Sequence, residues 1–213
     1  MTAYILLLIP VALLSYLIGS LDTMVLTSNF IFHRHLARLG TGNLWLSNFR
    51  RIYGFKGFVL YGLVEIIKDV IPILFGALML SFKEHPDAGR MFAAFCMVLG
   101  SLFPIYYGFK GRHAAIALVV AGFAMESTVG IAAAAILVIA LAAGRYMTIA
   151  IVAETVFYLA LAAMTANNAL LRNLALFTAA AMFIKHIPAV IRLLKHQEER
   201  LTLKEDLSYK LDT

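Results

Sequence analysis

Between residues 114 and 143 the chain carries a single charged side chain, Glu126. A run of about 30 residues with no solvated face fits no water-soluble fold, whereas about 20 apolar helical residues cross a hydrocarbon core. Comparable runs recur at roughly 3–20, 57–81, 91–107, 147–165 and 171–188. Only 14% of the 213 residues are charged, against about 25% in an ordinary soluble domain, so nothing remains to build an appended soluble module. Backbone groups in lipid must pair internally, and helices do so one by one. The chain therefore reads as one all-α, polytopic membrane domain covering 1–213.

The long run admits two readings: one tilted helix, or two short ones, 114–125 and 127–143, broken at Glu126-Ser127-Thr128. Charge separates them. With two helices there are seven spans, and one side of the membrane receives Arg34, Arg38, Arg50, Arg51, Lys56, Lys110, Arg112, Arg145, Arg192, Lys195, Arg200, Lys204 and Lys210. The other side receives Lys83, Arg90 and Arg172, while Lys68 and Lys185 fall within spans. With one helix the basic residues divide evenly. Basic residues gather in cytoplasmic loops, which predicts seven spans with the N-terminus outside and the C-terminus in the cytoplasm. The run from Tyr4 to Ile18 has no basic flank and ends in Gly19-Ser20-Leu21-Asp22, so it is expected to be a retained span rather than a cleaved signal. Residues 189–213 interleave Val190, Leu193 and Leu201 with Arg192, Lys195 and Glu198, the pattern of an interfacial cytoplasmic helix or tail.

The net charge of +6 is scattered through short loops, which points to lipid head groups and phosphorylated small molecules as partners rather than nucleic acid. Cys96 is the lone cysteine, so neither an internal disulfide nor a cysteine metal site is available. The absence of GxSxG, HExxH and Walker patterns leaves hydrolase, metalloprotease and nucleotide-driven pump readings without support.

Four polar groups stand out. Gly40-Thr41-Gly42-Asn43, followed by Ser47, Asn48, Arg50 and Arg51, combines glycine-freed amides with hydroxyl, amide and guanidinium groups. It suits either a phosphate cradle or a glycine turn before an interfacial segment anchored by Trp45. Lys110, Arg112 and His113 suit a phosphate site or a basic inside loop. Glu65, Lys68 and Asp69 share one helix face, about 12 Å deep if the helix starts at Gly57; they read as a structural ion cluster or as a functional one, and Glu154 raises the same question. His186 and Arg192 lie where the last span reaches the cytoplasm.

These pieces, in this order, resemble the bacterial acyl-phosphate-dependent glycerol-3-phosphate acyltransferases, the PlsY family. GTGNLWLSNFRRIYG, from Gly40 to Gly54, is similar to the family's GSGNxGxTNxxRxxG. GSLFPIYYGFKGRHAAI, from Gly100 to Ile116, is similar to GHxFPxxxxFKGGKGVA. Glu65, Lys68 and Asp69 resemble the D-x-x-K-G of the second span, Arg145-Tyr146-Met147-Thr148 the R-Y-x-S before the sixth, and His186, Arg192, Leu193 and Glu198 the closing H-R-x-N-I-x-R-L-x-x-G-x-E. The departures fall in polar positions: Ser101 stands for histidine, Arg112-His113-Ala114 for Gly-Lys-Gly, Ala189 for asparagine and Asp22 for proline.

The resemblance implies a seven-span enzyme of the bacterial inner membrane with its active site on the cytoplasmic face. It would transfer a fatty acyl group from acyl phosphate to glycerol 3-phosphate, giving lysophosphatidic acid, with no metal or other cofactor. It implies catalytic roles for His186, Lys110 and Arg51. Substrate binding would fall to Thr41, Gly42, Asn43, Ser47, Asn48, Lys68, Arg112, His113, Arg145, Thr148 and Arg192, with the acyl chain among the helices and membrane lipids around them. The alternatives are a paralogue with another acceptor, a non-catalytic lipid-binding protein, and a transporter using Glu65, Lys68, Asp69 and Glu154 as an ion relay.

Overall fold

The computed structural model describes residues 2–42, 44–109, 111, 114–166, 168–198 and 200–201. Asn43, Lys110, Arg112 and His113 lie outside the described residues, as does the tail beyond Leu201 with Lys204 and Lys210.

Among the described residues the chain is helical, without strands: α1 (Thr2–Gly19), α2 (Thr23–Leu26), α3 (Leu46–Ser81), α4 (Pro86–Leu102), α5 (Ala115–Met125), α6 (Ser127–Gly144), α7 (Met147–Thr165) and α8 (Ala169–Leu194). Each expected span overlaps one of the seven longer helices. By length and composition four segments are apolar enough to cross a membrane, Pro86–Tyr107, Ser127–Gly144, Met147–Thr165 and Ala169–Leu194. The pair Leu6–Gly19 and Thr23–Ile31, bent by 58°, makes a fifth if it counts as one span. α3 is long enough but carries Glu65, Lys68 and Asp69, and the 11 residues of α5 rise only about 16 Å.

The break in the long apolar run falls at Glu126, whose backbone is extended (φ −161°, ψ 148°) and divides α5 from α6. Three features differ from the sequence reading. α3 begins at Leu46 rather than near residue 57, because Leu46, Phe49, Ile52 and Tyr53 recur at helical spacing and are buried together. It bends at Gly54, whose φ of 66° is a conformation that strains any side-chain-bearing residue. α8 runs through Pro188 to Leu194, and then turns instead of continuing as a helix.

α4 lies at the centre of the bundle, packed against α1, α3, α5 and α8. Its Met97, Val98 and Leu102 join Leu118 of α5, Tyr158 of α7 and Met182 of α8 in the main core. α3 and α4 cross so closely at Gly76 and Gly89 that a Cβ on either would strike the other's carbonyl oxygen.

Candidate active site

The start of α3, the start of α7 and the last two turns of α8 surround a pocket of about 500 Å³. α3 contributes Trp45 and Ser47, α7 contributes Met147 and Thr148, and α8 contributes Lys185, His186, Ala189 and Arg192. Gly111, from the loop between α4 and α5, and Glu198, from the segment after α8, complete the wall. Helix N-termini present free amides and a partial positive charge, and two of them meet here beside two cationic side chains.

His186 is only 3% exposed. Its Nδ1 lies 2.8 Å from the carbonyl of Met182. A carbonyl oxygen can only accept, so Nδ1 carries the hydrogen, and in the neutral ring Nε2 holds a lone pair. Among the described residues His186 Nε2, Arg192 Nε and Glu198 Oε2 are buried without hydrogen-bond partners. Buried polar atoms are nearly always paired; other unpaired buried atoms are scattered elsewhere among the described residues, and these three share one cavity, where a polar molecule could pair with them. The Arg192 guanidinium lies 5.6 Å from the Trp45 ring centre, a cation–π contact that holds it at the rim.

The glycine-rich loop is organised by Asn48, which is 2% exposed. Its Oδ1 accepts from Thr41 N at 3.1 Å and its Nδ2 donates to Leu39 O at 3.1 Å. Gly40, at φ 59°, has no room for a Cβ against Asn48 Oδ1. Asn48 is thus committed to the loop's shape, while Thr41 and Gly42 are exposed at its tip.

Lys68 is also committed elsewhere. Its ammonium donates to Glu65 Oε1 at 2.8 Å and to Leu21 O at 3.3 Å, and lies 3.3 Å from Asp69 Oδ1. Two hydrogen bonds and one ion pair thus engage the ammonium, and the bond to Leu21 ties α3 to the corner between α1 and α2 beside a narrow cleft of about 40 Å³. Glu154 is fully buried on α7 and does not line the pocket.

Of the residues singled out in the sequence, the pocket therefore gathers Ser47, Thr148, His186 and Arg192. Thr41, Gly42, Asn48, Arg51 and Lys68 do not line it, and Arg145 lines a neighbouring groove instead. Sequence reasoning missed Lys185 and Glu198 as wall residues. Lys185 donates to Phe109 O at 3.1 Å and lies 4.7 Å from the Phe103 ring centre. Its spacing to Ala189 and Arg192, i, i+4 and i+7 on one helical stripe, was the available signal. Glu198 Oε1 accepts from Thr148 N at 3.1 Å, a carboxylate on a helix N-terminus.

The groove is apolar, about 450 Å³, and runs between α3, α5 and α6 along Phe58, Val59, Ile116, Val138 and Leu141. Leu46, Met147 and Leu201 line both it and the polar pocket, so the two spaces adjoin.

A helical bundle with apolar spans, a polar end pocket and an adjoining apolar groove has the build of an integral membrane protein. The family model described as "Glycerol-3-phosphate acyltransferase" matches residues 9–196, and the chain belongs to that family. A glycerol-3-phosphate acyltransferase of Thermoanaerobacter sp. is 23% identical over 196 residues, 92% of this chain and 96% of that protein. One from Macrococcus caseolyticus is 26% identical over 102 residues, 48% of this chain, and the match spans only 50% of that relative's length. The crystal structure of PlsY, an integral membrane glycerol 3-phosphate acyltransferase, in its glycerol 3-phosphate form, superimposes with a TM-score of 0.75 at 21% identity, covering 97% of this chain and 99% of that one. The fold is shared.

Proposed function

We propose that this protein transfers a fatty acyl group from acyl phosphate to the 1-hydroxyl of glycerol 3-phosphate, yielding lysophosphatidic acid and inorganic phosphate. The observation that carries the reading is the adjoining pair of spaces, one polar with three orphaned groups and one apolar. Together they fit a donor with an anionic head and a hydrocarbon tail. Groove residues Phe55 and Val138 are 61% and 66% exposed, so the tail enters sideways from the bilayer.

The donor arrives activated, and the protein's work is positioning and charge screening. The acceptor hydroxyl oxygen bonds to the acyl carbon, the acyl carbon–phosphate oxygen bond breaks, and phosphate leaves. His186 Nε2 takes the hydroxyl proton. Arg192, with Arg51 near the start of α3 and Lys110, Arg112 and His113 of the loop between α4 and α5, screens the phosphates, and Ser47 and Thr148 orient their oxygens. No metal or coenzyme is required. In this reading the chain crosses the bacterial inner membrane seven times, N-terminus outside, with the pocket at the cytoplasmic face.

Ala189 lines the pocket at the position where the resemblance expects asparagine, so one polar contact to the substrate is lost inside the site itself. That favours a second reading in which the acceptor is a different phosphorylated alcohol. The test is an assay of the purified protein in detergent with acyl phosphate and a panel of phosphorylated acceptors, read by mass spectrometry. Lysophosphatidic acid from glycerol 3-phosphate supports the first reading, a product from another acceptor supports the second, and transfer from acyl-CoA in preference to acyl phosphate overturns both.

A further inference from the structure

The segment after α8 returns across the junction of α6 and α7. His196, in the left-handed region at φ 55°, reverses the chain. Three contacts then hold it: Glu198 Oε1 accepts from Thr148 N, Arg200 Nε donates to Tyr146 Oη at 2.8 Å, and Leu201 N donates to Arg145 O at 2.7 Å. The outcome is that Leu201, 7% exposed, is inserted beside Leu46 and Tyr61.

That insertion point is the passage between the two spaces. An amphiphile with its phosphate in the pocket and its chain in the groove must cross the line of Leu46, Met147 and Leu201. Leu46 and Met147 are the first residues of α3 and α7, held by helix backbone. Leu201 is supplied by the strap. We propose that Leu201, held in place by the strap through Glu198, is a specificity-determining residue that reads the cross-section of the acyl chain next to its carbonyl carbon. The inference rests on the proposed acyl-phosphate chemistry. It concerns branching near the head, because the passage adjoins the pocket, and not chain length, which the far end of the groove sets. One methylene in an apolar pocket changes discrimination by about tenfold or more, so a leucine at this passage is large enough to sort straight from branched chains.

The experiment compares a straight-chain acyl phosphate with its 2-methyl-branched counterpart. Leu201→Ala is expected to narrow the ratio of their kcat/KM values by about tenfold, and Glu198→Ala, which releases the strap without touching the leucine, to narrow it in the same direction. A purely structural strap would slow both donors alike; an unchanged ratio in both variants overturns the proposal. A binding arm separates this outcome from failure of the acyltransferase reading. In a Trp45→Phe, Leu201→Trp protein, the introduced indole is quenched by an alkyl phosphonate brominated near its head. A phosphonate brominated at the far end quenches it weakly, and the unbrominated phosphonate reverses the effect. Quenching in this variant, with no turnover by the unsubstituted protein, supports the passage and overturns the activity; turnover by the unsubstituted protein without quenching in the variant overturns the passage.

Discussion

The imidazole of His186 donates from Nδ1 to the Met182 carbonyl one helical turn earlier, 2.8 Å away, and so presents an unpaired Nε2 to the polar pocket. A main-chain acceptor in the same helix fixes both the tautomer and the ring plane, without a carboxylate partner.

The first prediction follows from that geometry. His186→Ala should lower kcat by about 10²–10⁴-fold, the usual span for loss of a positioned base, while leaving the thermal unfolding midpoint in detergent within a few degrees of the parent protein. A variant with unchanged kcat would remove His186 from the chemistry.

Arg192 is expected to act on binding. Loss of a charge-assisted contact to phosphate costs about 1.5–3 kcal/mol, so Arg192→Ala should reduce kcat/KM by one to two orders of magnitude. Steady-state kinetics at fixed ionic strength, varying each substrate in turn, show which phosphate it holds.

The Lys68 cluster is expected to be structural. Lys68→Met leaves Glu65 and Asp69 buried and unmatched, a loss of about 3–5 kcal/mol that should appear as a large drop in the unfolding midpoint. Replacing all three, Glu65→Leu, Lys68→Met and Asp69→Leu, should recover most of that stability and keep turnover. A stable triple variant without turnover would return the cluster to the mechanism.

Asn48→Ala should loosen the glycine-rich loop, since it leaves Thr41 N and Leu39 O without the amide that holds them. Each of these partly exposed hydrogen bonds is worth about 0.5–1.5 kcal/mol, and the expected signature is a modestly lower unfolding midpoint together with a raised KM. Proteolysis within the loop in the folded variant would report the same loosening.

Topology is checked by single cysteines in a Cys96→Ala background. Thr41→Cys should be shielded from an impermeant thiol reagent in intact cells and His85→Cys should react, both positions being exposed on the protein. The reverse pattern would invert the proposed orientation.

Much of the fold was legible because it depends on local chemistry. An apolar run long enough for a bilayer forms a helix wherever it occurs, and the longest run divides at Glu126, where the polar triplet Glu126-Ser127-Thr128 interrupts it. The start of α3 was not legible as helix, because Arg50, Arg51 and Lys56 interrupt the apolar run and the buried face shows only as Leu46, Phe49, Ile52 and Tyr53. The motifs from Gly40 to Gly54 and from His186 to Glu198 marked the family, since spacing along a chain survives divergence.

Sequence by itself determined that this is a helical membrane protein of the glycerol-3-phosphate acyltransferase family, and which loops hold its polar residues. Only tertiary structure decided how those residues divide: Ser47, Thr148, His186 and Arg192 converge on one pocket, Asn48 and Lys68 hold backbone groups, and Lys185, Glu198 and Leu201, given no site role from sequence, join the walls. The physical reason is that a side chain's role depends on which of its donors and acceptors are already satisfied, and those partners can lie far along the chain, 50 residues between Glu198 and Thr148 and 76 between Lys185 and Phe109.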